Sequence, residues 1–189
     1  TSIAVAEDDV FVADAGALVI WHYVTFVKSV TSRYNPDGKL LGSIGKRDRE
    51  RGIGGFVVPS PYFDVAVAPH GLLRVANPGA HRIEAYTFDG HFEAEVSWGK
   101  RGLAVDAFCG CCNPANFAIL PDGRVVTAEK GVPRIKVFKD AGHFVNVVAA
   151  PTLFGGNRAG IDVAADTQGR VLVLEPGTSV IRIFSEKSS

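Results

Sequence analysis

Three cysteines, Cys109, Cys111 and Cys112, lie within four residues in the stretch FCGCCNPANFAIL, and the chain has no others. A thiolate is a nucleophile and a ligand for soft metals such as Cu(I) or Zn, whereas thiols in an oxidising compartment can pair as a disulfide. One possible pairing is a strained bond between the neighbours Cys111 and Cys112, which leaves the third thiol free or joined to another chain. Three ligands on four consecutive residues rarely complete a tetrahedral site alone. The segment therefore favours a structural disulfide, with metal binding, redox chemistry and inert thiols as alternatives.

The elements that must position these cysteines belong to a repeat that recurs four times, beginning at Ile3, Phe63, Asn116 and Ile161. Each copy reads as an apolar strand, a turn that often carries glycine, a second apolar strand, a polar turn and a third strand. Apolar residues alternate with a period of two, which is typical of strands. The aromatic residue that closes the third strand serves as an anchor, at Tyr23, Tyr86, Phe138 and Phe184, with spacings of 63, 52 and 46 residues.

A fourth strand is expected after three of the copies, beginning at Lys39, His91 and His143, but not after the last copy. In the first copy, an apparent insertion between Tyr23 and Asn35 displaces the turn that leads to this strand. Four-stranded antiparallel units that recur every 40 to 50 residues or so are typical of a β-propeller. The sequence therefore predicts an all-β chain forming one propeller domain over 1–189, with approximate blades at 1–58, 59–105, 106–150 and 151–189.

The repeats resemble the NHL repeat family, in which a polar residue ends the second strand and the third strand reads Arg-Ile-aromatic. The residues that carry the resemblance are Asp64, Gly71, Asn77, Arg82, Ile83 and Tyr86 in the second copy and Gly123, Glu129, Arg134, Ile135 and Phe138 in the third. In the outer copies the Arg position holds Val19 and Val180, while Asp14 and Glu175 keep the polar position. We expect Arg82 and Arg134, each five residues after Asn77 and Glu129, to form hydrogen bonds within or between blades.

Propellers of the NHL repeat family usually have six blades, and a closed ring needs all of its blades to seal the sheet edges. Four copies are visible here, so we expect an incomplete ring whose other blades are missing from this chain or supplied by another; a four-bladed ring is the alternative. The resemblance extends to bacterial NHL-repeat proteins that carry the same Cys-rich NP segment. It implies an exported protein, in the periplasm or outside the cell.

The same resemblance includes propeller enzymes, namely lyases that hold zinc through histidines just before the first strand of successive blades and lactonases that hold Ca²⁺ through Asp, Asn and Glu. In this chain those positions carry Asp64, Asn116 and Asp162, without histidine. As an inward polar ring at the channel mouth, these three side chains could bind a hard cation or a polar ligand. Capping of the strand starts is the commoner explanation of such residues.

Composition narrows the possible partners. The 20 Lys and Arg residues balance 20 Asp and Glu residues, and this zero formal net charge argues against nucleic-acid binding. The most apolar run, Ala15 to Val27, is too short to span a bilayer.

The function that needs the fewest assumptions is a rigid scaffold that binds a protein, peptide or glycan. The alternatives are a metal-dependent lactonase-like or lyase-like enzyme, with Ca²⁺ as its cation, and a metal or redox protein centred on the cysteines.

Overall fold

The computed structural model describes residues 2–15, 29–155 and 160–186, which form four antiparallel sheets. Sheet 1 contains β1 (Ser2–Ala6), β2 (Asp9–Asp14), β3 (Val30–Tyr34) and β4 (Leu40–Ile44). Sheet 2 contains β5 (Val65–Val67), β6 (Leu73–Asn77) and β7 (Arg82–Tyr86). Sheet 3 contains β8 (Asn116–Ile119), β9 (Val125–Glu129), β10 (Arg134–Phe138) and β11 (Phe144–Ala149), and sheet 4 contains β12 (Asp162–Ala165), β13 (Val171–Glu175) and β14 (Val180–Phe184). Strands that follow one another in the chain pair within each sheet, so the prediction of an all-β fold built from antiparallel meanders is confirmed.

Sheet 1 corrects the predicted alignment of the first copy. Its third strand is β3, which pairs with β2 in the register Val10 to Tyr34, so the aromatic anchor is Tyr34 rather than Tyr23. The spacing from Tyr34 to Tyr86 is then 52 residues, the same as from Tyr86 to Phe138. The insertion therefore lies between the second and third strands. Val19 and Tyr23 fall outside the described residues, and the Arg position of this copy is filled by Val30, opposite Asp14.

Sheet 2 lacks the fourth strand that was predicted from His91 onward. Two isolated bridges, Tyr86 with Phe92 and Ile83 with Trp98, stand in its place, and a 3₁₀ turn over Ala94–Val96 separates them. The side chain of Ser97 interrupts the expected fourth strand. Its hydroxyl accepts a hydrogen bond from the N–H of Ala85 at 2.9 Å and donates to the carbonyl of Glu93 at 2.7 Å. A side chain thus takes the place of a strand carbonyl. The predicted fourth strands from Lys39 and His143 are present as β4 and β11.

Among the described residues, three hydrophobic cores lie between neighbouring sheets. The first joins sheets 1 and 2 and includes Phe11, Phe63 and Tyr86. The second joins sheets 2 and 3 around Trp98 and Phe138, whose ring centroids are 4.8 Å apart. Gly142 packs so closely on Trp98 that a Cβ atom there would lie 2.4 Å from the indole. The third core joins sheets 3 and 4 through aliphatic side chains of β9, β10 and β13.

Polar contacts reinforce the junction between sheets 2 and 3. Arg74 in β6 is fully buried, and its guanidinium donates to Asp140 Oδ1, in the turn after β10, at 2.5 Å and to the Val96 carbonyl. Within sheet 3, the buried carboxylate of Glu129 accepts two hydrogen bonds from Arg134, at 2.8 and 3.0 Å, and lies 3.1 Å from Nζ of Lys136. A buried charge is tolerated only when it is paired and hydrogen-bonded, so this cluster depends on all of its members.

The innermost strands of the sheets lie next to one another in the order of the chain. Each contacts the next in chain order, β1 with β5, β5 with β8, and β8 with β12. The faces of the end sheets that point away from their neighbours expose apolar side chains, with Ile3 on sheet 1 65% exposed and Ile181 on sheet 4 62% exposed. Among the described residues, no helix has the length and apolar character needed to cross a membrane.

We expect Glu129→Gln to lower the free energy of unfolding by about 3–5 kcal/mol, because Arg134 and Lys136 would stay buried without a countercharge. Urea unfolding monitored by tryptophan fluorescence measures the change. Lys136→Met should cost less, because the Glu129 to Arg134 pair survives it. Glu186→Gln, which removes a solvent-exposed partner of Arg124, should leave the unfolding midpoint nearly unchanged. Equal effects of the Glu129 and Glu186 substitutions would contradict this account.

Candidate functional site

One polar position recurs at the start of the innermost strand of every sheet. Ser2, Asn116 and Asp162 are the first residues of β1, β8 and β12, and Asp64 immediately precedes β5. The four are equivalent in register, because each lies opposite the penultimate residue of the next strand, namely Ala13, Ala76, Ala128 and Leu174. The structure therefore brings the three predicted residues Asp64, Asn116 and Asp162 together in the lining of one cavity and adds Ser2 to them.

These side chains join neighbouring sheets. Asp64 Oδ2 accepts a hydrogen bond from the N–H of Phe117 in β8 at 2.8 Å, and its Oδ1 accepts from the adjacent Val65 at 2.9 Å. Asn116 Nδ2 donates to the carbonyl of Ile161, beside β12, at 2.8 Å. Ser2 makes the corresponding contact from β1 to the carbonyl of Val65, at 3.4 Å. Asp64, Asn116 and Ser2 thus bind the backbone at or beside the next innermost strand.

The four residues line a cavity of about 360 Å³ that we call the polar mouth, together with Pro61, Tyr62, Phe63, Gly160, Leu174 and Pro176. Tyr62 closes one side, and its hydroxyl accepts a hydrogen bond from the N–H of Gly160 at 3.0 Å. Only glycine fits at residue 160, since a Cβ atom there would lie 2.1 Å from the Tyr62 ring. Asp162 Oδ1 accepts from Val163 at 2.9 Å. In the part of the chain that the structure describes, its Oδ2 accepts no hydrogen bond, and the residue is exposed.

The electrostatics of the polar mouth depend on Asp64. Burial raises the pKa of its carboxyl group above the ordinary value, the hydrogen bonds from Phe117, Ser2 and Val65 oppose that rise, and the negative charge of Asp162 adds to it. The polar mouth therefore offers acceptor oxygens and negative charge. Within the described ranges, no group of three or more His, Cys, Asp or Glu side chains is arranged to hold a metal ion.

The other polar residues singled out in the sequence occupy equivalent cross-strand pairs, Asn77 opposite Arg82 and Glu129 opposite Arg134. Arg134 contacts its partner directly, as described above. Arg82 instead donates to the carbonyl of Ser97 at 3.2 Å. Asn77 binds the segment before β5: its Oδ1 accepts from Val57 at 2.8 Å, and its Nδ2 donates to the Gly55 carbonyl at 3.2 Å. The two pairs therefore hold different loops in place.

The segment from Cys109 to Cys112, which we call the cysteine loop, is fixed at the end of β9. Glu129 Oε1 accepts from the N–H of Cys109 at 3.1 Å. The buried side chain of Asn113 donates to the carbonyls of Cys109 and Lys130, at 2.7 and 3.0 Å, and accepts from the N–H of Lys130 at 2.9 Å. The loop is thus held by the side chain of Glu129 in sheet 3 and by Asn113, the residue that follows it.

The three cysteines divide into a pair and a single residue. The sulfur atoms of Cys111 and Cys112 lie 2.7 Å apart, with Cys111 exposed and Cys112 only 3% exposed. Burial raises the pKa of the Cys112 thiol to about 11, with further contributions from the hydrogen bond and charge of Cys111, while Lys130 opposes the shift. Cys109 is buried separately from this pair, beside Arg134 and Lys136.

Three residues that the sequence did not point to take part in these two sites. Ser2 and Tyr62 line the polar mouth, and Lys136 lies beside Glu129, which holds the cysteine loop. Aligning the first strand of the first copy with the other three would have revealed Ser2, because SIAVA, DVAV, NFAI and DVAA superpose. Lys136 lies in an apolar strand and gives no sequence signal of burial. Its Nζ donates to the Ala107 carbonyl at 2.8 Å and lies 4.4 Å from the Phe108 ring centroid, and burial lowers its pKa.

Comparison with solved structures defines the class of protein. The fold is similar to a catalytically inactive virginiamycin B lyase from Staphylococcus aureus (TM-score 0.59, 12% identity, 99% of this chain and 55% of that one). It is also similar to a gluconolactonase from Xanthomonas campestris (0.57, 17%, 90% and 52%) and to a chain of a nidogen/laminin complex (0.56, 14%, 96% and 63%). The four antiparallel meander sheets and the likeness to these neighbours give the chain a β-propeller fold.

The identities are too low for the likeness to extend beyond the fold. The chain spans between about half and two thirds of the length of these structures. Searches with protein-family models and among curated proteins find no match for the sequence.

We expect Asp64→Ala to lower the free energy of unfolding at neutral pH by about 1–3 kcal/mol, because the N–H of Phe117 loses its acceptor. The raised pKa of Asp64 also fixes a pH dependence. Protonation of Asp64 favours the folded state, so the difference between wild type and variant should grow as the pH falls from neutral towards about 4. Urea unfolding at several pH values measures this difference, with the exposed Asp37→Ala as control. A difference that shrinks on acidification would contradict the assignment.

Proposed function

We propose that this propeller is a binding scaffold and that its partner, a protein, peptide or glycan, docks at the polar mouth. The observation that carries the proposal is the convergence of four equivalent polar residues on one cavity while three of them also join the sheets. Side chains held in this way are preorganised, so little conformational entropy is lost when they bind a ligand. Among the structural neighbours, the nidogen/laminin complex is a protein assembly.

The chemistry of the polar mouth favours one kind of partner. Asp64 and Asp162 carry acceptor oxygens and line the same cavity as Leu174 and Pro176. Among the described residues, Oδ2 of Asp162 accepts no hydrogen bond. A carboxylate accepts hydrogen bonds most strongly from a charged donor. We therefore favour a peptide segment that bears an ammonium or guanidinium group over an uncharged glycan.

The NHL character of the repeats and a location outside the cytoplasm belong to the same proposal. The NHL character is supported by Arg82 and Arg134, which lie at equivalent positions at the start of β7 and β10. Each lies opposite the polar residue that ends the preceding strand. The second rests on the resemblance of the Cys-rich NP segment to exported proteins.

A lactonase-like or lyase-like enzyme is the second candidate. It is favoured by the shared cavity of Asp64, Asn116 and Asp162, whose oxygen atoms belong to the ligand type that Ca²⁺ prefers. The propeller neighbours include both a gluconolactonase and a lyase. Under this hypothesis, the cation would polarise a carbonyl group of a small substrate.

Isothermal titration calorimetry distinguishes these readings, with a short lysine-rich peptide, a neutral cello-oligosaccharide and CaCl₂ as separate probes. We expect the peptide to bind to wild type and Asp162→Asn to weaken it by about tenfold, because a charge-assisted hydrogen bond is lost. The control Asp37→Asn, in an exposed turn of sheet 1, should leave the affinity unchanged.

Each of the other outcomes would contradict the hypothesis that a cationic peptide docks at the polar mouth. Binding of the oligosaccharide alone would assign a glycan ligand. Stoichiometric Ca²⁺ binding that Asp162→Asn abolishes would favour the enzyme. Peptide affinity that is equal in wild type and Asp162→Asn would place the contact away from the polar mouth.

A further inference from the structure

We propose that Cys111 and Cys112 form a reversible thiol–disulfide redox pair, in which Cys111 exchanges with an external disulfide and Cys112 resolves the intermediate. This site is independent of the binding function proposed above. It assigns the two-electron chemistry to two of the three cysteines and leaves Cys109 outside it.

The first argument is the approach of the two sulfur atoms. Successive side chains of an extended segment point in opposite directions, so neighbouring cysteines do not normally bring their sulfurs together. Here the sulfurs are 2.7 Å apart, and Cys112 has a φ of 61°, in the left-handed region that residues other than glycine rarely adopt. Gly110, with a φ of 73°, supplies a second left-handed residue just before the pair. The backbone of the cysteine loop is thus shaped to hold both thiols on one side.

The second argument is that the surrounding structure fixes this backbone. Left-handed residues other than glycine persist only where the neighbouring contacts hold them. The three hydrogen bonds of Asn113 and the contact from Cys109 N–H to Glu129 enclose the pair on both sides in the sequence. Such geometry is unnecessary for an inert thiol, which could adopt any conformation that packs well.

The third argument is the difference in accessibility between the two thiols. Thiol–disulfide exchange requires a thiolate that an external disulfide can reach. Cys111 is exposed, whereas Cys112 is buried, and burial raises the pKa of Cys112 to about 11. Attack from solution therefore begins at Cys111, and Cys112 is protected from direct reaction.

The proposed oxidation takes place in two balanced steps. The Cys111 thiolate attacks a low-molecular-weight disulfide such as oxidised glutathione, forming a mixed disulfide and releasing one glutathione thiolate. Cys112 then gives up its proton to solvent, and its thiolate displaces the second glutathione from the Cys111 sulfur. Overall, two protein thiols lose two electrons and two protons, and one glutathione disulfide becomes two glutathione thiols.

The effects of Cys111 and Lys130 on the pKa of Cys112 explain why this buried thiol becomes more reactive once the mixed disulfide has formed. After burial, the hydrogen bond and charge of Cys111 are the causes that raise the pKa of Cys112, and the charge of Lys130 lowers it. When Cys111 is capped in the mixed disulfide, its thiolate charge is gone while Lys130 remains. The Cys112 thiol therefore ionises more readily after the first step than before it.

The adjacency of the pair makes the bond reversible. The Cα atoms of neighbouring residues are about 3.8 Å apart across a trans peptide, closer than the roughly 4.4–6.8 Å that an unstrained disulfide spans. A strained and accessible disulfide is reduced more easily than a structural one. This favours redox cycling over permanent cross-linking.

The test equilibrates the purified full chain in buffers of varied reduced and oxidised glutathione, quenches with acid, alkylates the remaining thiols and maps the cysteine loop by mass spectrometry. We expect a single two-electron transition that joins Cys111 to Cys112, with Cys109 alkylated in both states. In Cys112→Ser, a glutathione adduct should accumulate on Cys111. In Cys111→Ser, Cys112 should react with glutathione disulfide at least about tenfold more slowly than Cys111 does in Cys112→Ser, because it is buried and weakly ionised.

The control Cys109→Ser should keep the transition at the same glutathione ratio, and urea unfolding confirms that each variant is folded. Three results would overturn the proposal: both thiols of the pair alkylated at every glutathione ratio, a disulfide that includes Cys109, or a stoichiometric copper or zinc ion that protects the thiols in the purified chain. If Cys109→Ser does not fold, Cys109→Ala replaces it, since the small apolar side chain suits its buried position.

Discussion

The buried carboxylate of Glu129 is the constraint on which sheet 3 and the cysteine loop both depend. It accepts hydrogen bonds from Arg134 and from the backbone of Cys109, and it neutralises Lys136 in the interior. Burying a carboxylate costs free energy unless its oxygens are fully used. Because both oxygens are used here, the end of β9, the start of β10 and the entry to the cysteine loop hold a single relative arrangement. The position of the loop follows from this electrostatic requirement.

The polar mouth shows how structural and binding roles can share residues. Asp64 and Asn116 bond to the backbone of the next innermost strand, so the mouth cannot change shape without loss of contacts between sheets. Deeper in the same junction, Arg74 and Asp140 join sheets 2 and 3. Apolar packing alone would allow neighbouring sheets to slide, since it has little directionality. These hydrogen bonds fix their register and keep the acceptor groups of the polar mouth in place.

The fold could be predicted from the sequence because its signals are local and repeated. Alternating apolar residues and glycine turns identify the strands, and the equivalent anchors Tyr86 and Phe138 define the period. The predicted strand positions were wrong in two places, the third strand of the first copy and the fourth strand of the second copy. Tyr23 follows an apolar run that looks like a third strand, whereas β3 lies further along the chain. Ser97 interrupts a plausible fourth strand by a side-chain hydrogen bond. The contact between the sulfurs of Cys111 and Cys112 likewise depends on backbone angles that no sequence pattern specifies.

Lys130 connects the cysteine loop with the polar mouth. Its backbone holds Asn113 through two hydrogen bonds, and its ammonium group lies 5.1 Å from the ring centroid of Tyr62, which lines the mouth. The same charge lowers the pKa of Cys112. A lysine attracted to an aromatic face is held by electrostatics rather than by a directional bond, so its position responds to nearby charge. Lys130 therefore contacts both regions, because its backbone fixes Asn113 beside the cysteine loop and its side chain packs on Tyr62 in the wall of the polar mouth.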